Sequence, residues 1–174
     1  MKLSRGILIL VAVMLGTLLL AAPAFAAVEL NKYEKQLVKL VNKQRAKRGL
    51  AALRVNGKLV DAARGHSTEM GEVKYFDHAS ADGEVWSSRV VRYGYKRDGY
   101  TYWKAGENIY YGAQLWSSPV ACVDAWMKSK AHRKVLLTKV FRDIGVGAVK
   151  TETGYGSIDG TVWFFTMDVG RRTQ

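Results

Sequence analysis

Two stretches decide the fold: Ile144-Gly145-Val146-Gly147-Ala148, and then Thr161-Val162-Trp163-Phe164-Phe165-Thr166-Met167-Asp168-Val169. In the first, apolar residues alternate with glycines; the second is rich in β-branched and aromatic residues. Both are signatures of strands. Thr153 to Gly160 lies between them and reads as the loop of a hairpin. Upstream the periodicity is helical. Asn31 and Glu34 have the spacing of a capping box, and Leu37, Leu40, Val41 and Gln44 continue at helical intervals up to Gly49. Asn56 caps a second helix, with Leu59, Ala62, Ala63, His66, Met70 and Val73 on one face. Asp82-Gly83 is expected to open a short third helix through Trp86, Arg89 and Val90. Tyr100 to Gly112 suits a strand or loop, and Ser118-Pro119 starts a fourth helix running to about Lys130. A further helical turn follows from His132 to Leu137. Helices first and an antiparallel pair last imply an α+β domain, or a sheet layered between helices.

The first residues read as a cleavable signal peptide, residues 1–26. Lys2 and Arg5 form the positive end, Ile7 to Leu20 the apolar run, and Ala24-Phe25-Ala26 the small-residue cleavage site. Pro23 argues against an uncleaved anchor, so no transmembrane span is expected after cleavage and the destination is secreted or cell-surface. Residues 27–174 are an ordinary length for one domain, expected to be a monomer. They carry 25 basic and 15 acidic residues, a net charge of +10. That field attracts anionic polymers of a cell surface without sequence specificity, and no specific nucleic-acid partner is expected. The scattered placement of Lys and Arg also suits a solvated surface. Cys122 is the only cysteine, which excludes an internal disulfide and reads as a buried, inert thiol.

Three histidines can be weighed singly. His66 lies on the apolar face of the second helix and reads as a packed core residue. His78 follows Tyr75-Phe76-Asp77 in a helix-to-helix connection, where a site residue and a local turn histidine are both open readings. His132 comes three residues after Ser129 and shares its helical face if the helix continues. Glu107, between Gly106 and Asn108, is a surface acid or a buried acceptor.

Taken together, Phe76-Asp77-His78, Ala105-Gly106-Glu107-Asn108-Ile109, Trp126-Met127-Lys128-Ser129, His132-Arg133 and Ile144-Gly145-Val146-Gly147 form a pattern. In order and spacing it resembles the cysteine-rich secretory protein, antigen 5 and pathogenesis-related protein (CAP, or SCP-like) superfamily in its compact bacterial form. The resemblance spans about Tyr33 to Val169. It implies a three-layer α-β-α sandwich with a small antiparallel sheet between helices, and a cleft faced by two histidines and two acids. By motif, His78 and His132 are the histidines and Glu107 the first acid. The position of the second acid holds Ser129, so the set of four is incomplete.

Two imidazoles and a carboxylate suit an open divalent site, such as one for Zn²⁺. Alternatively Glu107 fixes the tautomer of a histidine, while His78 and His132 hold the ion. A metal-free, hydrogen-bonded cleft is a third arrangement. Two functional classes follow. The first is a binding module for a small-molecule, lipid, glycan or peptide-like ligand, in which the resemblance points to lipid binding and surface interaction; Tyr102, Trp103, Tyr110 and Ser129 are candidate ligand contacts. The second is a metal-assisted hydrolase, acting on protein or cell wall, with Glu107 as base and His78 and His132 as its catalytic partners. The chain has no His-Glu-x-x-His pair and no Gly-x-Ser-x-Gly elbow to support the second class.

Overall fold

The computed structural model describes residues 28–174, so the expected leader lies outside the described residues. Helix α1 (Lys32–Ala46) opens with the expected capping box: the Asn31 side chain accepts from the Tyr33 and Glu34 amides, and Glu34 accepts from the Asn31 amide. A two-residue strand, β1 (Arg54–Val55), precedes α2 (Gly57–Val73), which Asn56 caps. Helix α3 spans Trp86–Arg92 and starts later than expected. Asp82 and Gly83 belong to the turn before it, because Gly83 has φ 87° and the Asp82 carboxylate accepts from the Glu84 amide. Strand β2 (Tyr102–Ala113) resolves the strand-or-loop alternative and ends in a short 3₁₀ turn, Gln114–Trp116.

The fourth helical region divides in two. Helix α4 (Pro119–Lys128) stops at Ser129, whose ψ of 125° is extended, and α5 (Lys130–Leu136) restarts with Ser129 as its own cap. Ser129 and His132 are therefore not neighbours on one continuing helix. Strands β3 (Asp143–Thr151) and β4 (Val162–Thr173) form the expected hairpin.

The sheet order is β1-β3-β4-β2. The β2–β4 and β3–β4 pairs are antiparallel, while β1 pairs parallel to β3, so the sheet is mixed. Two residues give no alternation to read, which is why β1 escapes the sequence pattern. Side chains alternate between the two sheet faces. On one face, Ile144, Val146, Phe165, Met167 and Val169 pack against Leu37 and Val41 of α1, Trp126 of α4 and Leu136 of α5. On the other, α2 lies directly on β3: a Cβ at Gly145 or Gly147 would overlap the helix backbone at Leu59 or Ala63. Those two glycines alternate with core residues because one face of β3 must accept a helix at contact distance. The result is an α-β-α sandwich, with β2 as the edge strand beside which two connections converge. Among the described residues no helix is long and apolar enough to cross a membrane.

Candidate functional site

The connection from α2 to α3 carries His78, and several bonds fix its backbone. Lys74 ends α2 in the left-handed conformation, with φ 63°. His66, fully buried in α2, bonds through Nε2 to the Asp77 carbonyl at 2.9 Å, so this core histidine also anchors the peptide before His78. Burial, and next the charge of Arg89, push its pKa down, which suits a neutral ring. Arg89 of α3 donates from Nη1 to the His78 carbonyl at 3.1 Å and to Ser80 Oγ at 2.9 Å.

Glu107 sits in the middle of β2 with only 5% of its surface exposed. Its Oε1 is 2.6 Å from His78 Nδ1, and its Oε2 accepts from Arg89 Nη2 at 2.5 Å. A carboxylate can only accept, so the proton of this bond lies on Nδ1 and the neutral ring presents Nε2 as its lone pair. The hydrogen bond to Glu107 raises the His78 pKa more than partial burial lowers it. The His78 side chain stays 46% exposed while Glu107 and Arg89 are closed off, so the imidazole is the accessible end of a buried ion pair.

Asp168 of β4 stands opposite Glu107 on one side and Gly145 on the other. It is fully buried, and neither of its oxygens has a hydrogen-bond partner among the described residues. Burial first, and the neighbouring Glu107 charge second, push its pKa well above the usual carboxylate range, against the pull of Arg89. Two carboxyls facing one guanidinium cannot both be ionised cheaply, and Asp168, without a direct bond to the cation, is the one whose ionisation burial disfavours.

Consecutive residues of an edge strand point to opposite sides, and the Gly106-Glu107-Asn108 segment uses both. Glu107 reaches His78 on the α2/α3 side. Asn108, also buried, donates from Nδ2 to the His132 carbonyl at 3.0 Å on the α5 side. Gly106 leaves room for Val135 and Phe141, whose side-chain atoms would stand 3.1 and 3.3 Å from a Cβ there. His132 thus arrives at the same strand edge, close enough that the charge of His78, after burial, lowers its pKa. The two imidazoles are pushed in opposite directions, which sets apart the pH at which each loses its proton.

The four expected ligand contacts fall in different places. Tyr102 is 40% exposed at the start of β2. Trp103 donates from its indole to the Tyr95 carbonyl at 3.0 Å and lies under the Arg97 guanidinium. Tyr110 donates its hydroxyl to the Trp116 carbonyl at 3.0 Å and lines a groove with Tyr111, Trp116 and Ile158. Ser129 caps α5, its hydroxyl accepting from the His132 amide at 3.5 Å. Sequence reasoning missed Arg89 and Asp168. Arg89 reads there as one more polar residue of a short helix, and Asp168 as an acid in a strand; only the register shows that Asp168 faces Glu107.

The donor set tests the fit of a divalent ion. Among the described residues, no cluster of three or more His, Cys, Asp and Glu side chains stands where it could hold one. Glu107 has both oxygens engaged. An ion here would therefore rest on His78 and His132, with solvent or a bound molecule completing its coordination, and Glu107 would act by orienting His78.

A family model described as "Cysteine-rich secretory protein family" matches residues 38–169. The protein YkwD of Bacillus subtilis (strain 168) is 37% identical over 134 residues, which cover 76% of this chain and 46% of that protein. The membrane protein YlbC of the same organism is 36% identical over 115 residues, covering 66% of this chain and 31% of that one. This chain thus spans less than half the length of these curated relatives. Among solved structures, an extracellular protein containing an SCP domain from Bacillus anthracis aligns with a TM-score of 0.61 at 28% identity, over 83% of this chain and 45% of that one. An outer surface protein from Borrelia burgdorferi aligns with a TM-score of 0.64 at 18% identity, over 84% and 97%, and shares the fold.

Proposed function

This chain belongs to the cysteine-rich secretory protein (CAP) family, and on that premise we propose that it is a secreted binding domain. Its His78–Glu107–His132 cleft takes a divalent cation, zinc foremost, together with a lipid-, glycan- or peptide-like ligand outside the cytoplasm. The observation that carries this reading is the Arg89–Glu107–His78 chain, with separations of 2.5 and 2.6 Å. A buried guanidinium holds a buried carboxylate, which holds the Nδ1 proton of a half-exposed imidazole, and such an arrangement prepares Nε2 as a ligand. Bound zinc would supply a Lewis acid at that spot. The residues themselves fix the His78 ring and keep its tautomer. Secretion rests on the leader-like residues 1–26 and on the extracellular setting named for the Bacillus anthracis relative. The net charge of the chain favours anionic cell-surface polymers as weak partners.

Metal-assisted hydrolysis with Glu107 as base draws less support, because both oxygens of that carboxylate are committed and its side chain is 1% exposed. A group so held is better placed to orient than to take up a proton.

Calorimetric titration with zinc tests the proposal. The double variant His78→Ala/His132→Ala should lose binding while its circular dichroism and melting temperature stay near those of the parent, since His78 is half-exposed and His132 partly so. Unchanged zinc affinity would remove the metal reading. Turnover of casein or peptidoglycan that a chelator abolishes would replace the binding domain with the hydrolase.

A further inference from the structure

The turn between β2 and α4 displays two large apolar residues side by side. Leu115 is 89% exposed and Trp116 66%, and Val120 on the first turn of α4 is 45% exposed. Single apolar residues on a surface are ordinary, but a contiguous set is not. These three line one groove together with Asp124 and Lys128.

The display is rigid. Gln114 takes a left-handed conformation, φ 50°, and its carbonyl accepts from the Ser117 hydroxyl at 2.6 Å. The Tyr110 hydroxyl holds the Trp116 carbonyl from the strand below. Gly112 lies so close under that carbonyl that any Cβ would overlap it. These four features brace the turn that leaves Leu115 and Trp116 largely exposed.

The charge beside them is mostly positive. Between Gln114 and Val140 the basic residues are Lys128, Lys130, Arg133, Lys134 and Lys139, and Asp124 is the single acid. Lys130, Arg133 and Lys134 line the next groove along α5. Lys128, Lys130 and Lys134 are exposed.

We propose that the Leu115–Trp116 turn, with Val120 and the lysines of α4 and α5, docks on an anionic phospholipid bilayer. A Trp and a Leu at the tip suit the headgroup and upper acyl region, and the lysines beside them suit the phosphates around the insertion point. A second copy of the chain fits less well, because each copy would bring the same cluster of positive charge to the contact. An anionic wall polymer would meet the lysines but gives no reason for a braced, exposed Trp and Leu. The docking calls on neither His78 nor Glu107, and it stands or falls independently of the metal reading.

Vesicle co-sedimentation of residues 27–174, which contain every described element and both halves of the core, provides the test. Phosphatidylcholine vesicles are compared with vesicles carrying phosphatidylglycerol at low and high salt. The parent should bind the anionic vesicles, and its affinity should fall about tenfold or more between 50 and 300 mM salt. Leu115→Ser/Trp116→Ser should weaken that binding by about tenfold or more with an unchanged melting temperature. Lys128→Ala/Lys130→Ala/Lys134→Ala should flatten the salt dependence. Lipids brominated on the acyl chain should quench the parent more than the Trp116→Phe variant. The proposal is overturned if the serine variant binds as the parent does, or if the parent binds a soluble polyanion but no vesicle. It is equally overturned if the exposed turn proves to mediate a dimer that the serine variant abolishes while vesicles go unbound.

Discussion

The two faces of the four-stranded sheet are packed differently. The α1/α4/α5 face is packed mainly by apolar side chains: Val146, Phe165, Met167 and Val169 meet Leu37, Val41, Trp126 and Leu136, all with 2% exposure or less, while its buried Arg45 and Asn108 donate to backbone carbonyls. The α2/α3 face buries Asp168, Arg89, Thr166, Ser67 and His66 as deeply, and Glu107 nearly so. Burying polar groups without complete pairing costs about 1–3 kcal/mol each, and Arg89 Nε and both Asp168 oxygens have no partner among the described residues. The α2/α3 face therefore carries most of the unpartnered buried polar atoms, beside apolar clusters of its own around Leu59 and Phe164, and holds a half-exposed imidazole in one orientation.

Four substitutions sharpen that contrast. On the α1/α4/α5 face, Trp126→Ala removes a fully buried indole whose Nε1 donates to the Ile109 carbonyl at 3.0 Å. Chemical denaturation should show a loss of about 3–5 kcal/mol that varies little between pH 5 and 8. A loss below about 1 kcal/mol would mean that packing on this face contributes little to stability.

On the α2/α3 face, Arg89→Met should cost about 3 kcal/mol or more, because Glu107 is left buried without its cation. Adding Glu107→Gln should recover part of that loss, whereas additive losses in the double variant would show that the pair acts as two separate residues.

The last effect carries a sign. The Asp168 pKa is raised in the folded chain by burial and by Glu107, so its contribution is fully present below the unfolded value of about 3.9 and is lost as pH rises towards the folded value. Asp168→Asn removes that loss while keeping the shape of the protonated acid. Its stability relative to the parent should therefore increase from pH 4 upward, by at most about 1.4 kcal/mol per pH unit. A difference between the two proteins that stayed flat over this range would mean that Asp168 is ionised and paired in the folded state.

The residues made some of this legible and hid the rest. Caps and periodicities located α1, α2, α4 and the β3–β4 hairpin, because Asn31, Asn56 and Ser118 each bond the amides that their positions imply. The start of α3 shifted because the Asp82-Gly83 turn signal marks the turn and not the first helical residue. The end of the fourth helix near Lys130 and the further turn to Leu137 were legible to within two residues, although no Gly or Pro marks the break and only the Ser129 cap does. His78, Glu107 and His132 were singled out by the family resemblance, since no local rule links residues 29 and 25 positions apart. Arg89 and Asp168 needed register and tertiary packing, which spacing does not encode.

The central claim is that Glu107, held by Arg89, keeps the His78 proton on Nδ1 and leaves Nε2 free to bind. Two-bond ¹⁵N–¹H correlation spectra of the imidazoles test it directly. In the neutral ring of the parent, His78 should appear as the Nδ1–H tautomer, and zinc should shift its Nε2 resonance while Nδ1 remains protonated. An Nε2–H tautomer, or a His78 spectrum unchanged between the parent and Glu107→Leu, would contradict the account.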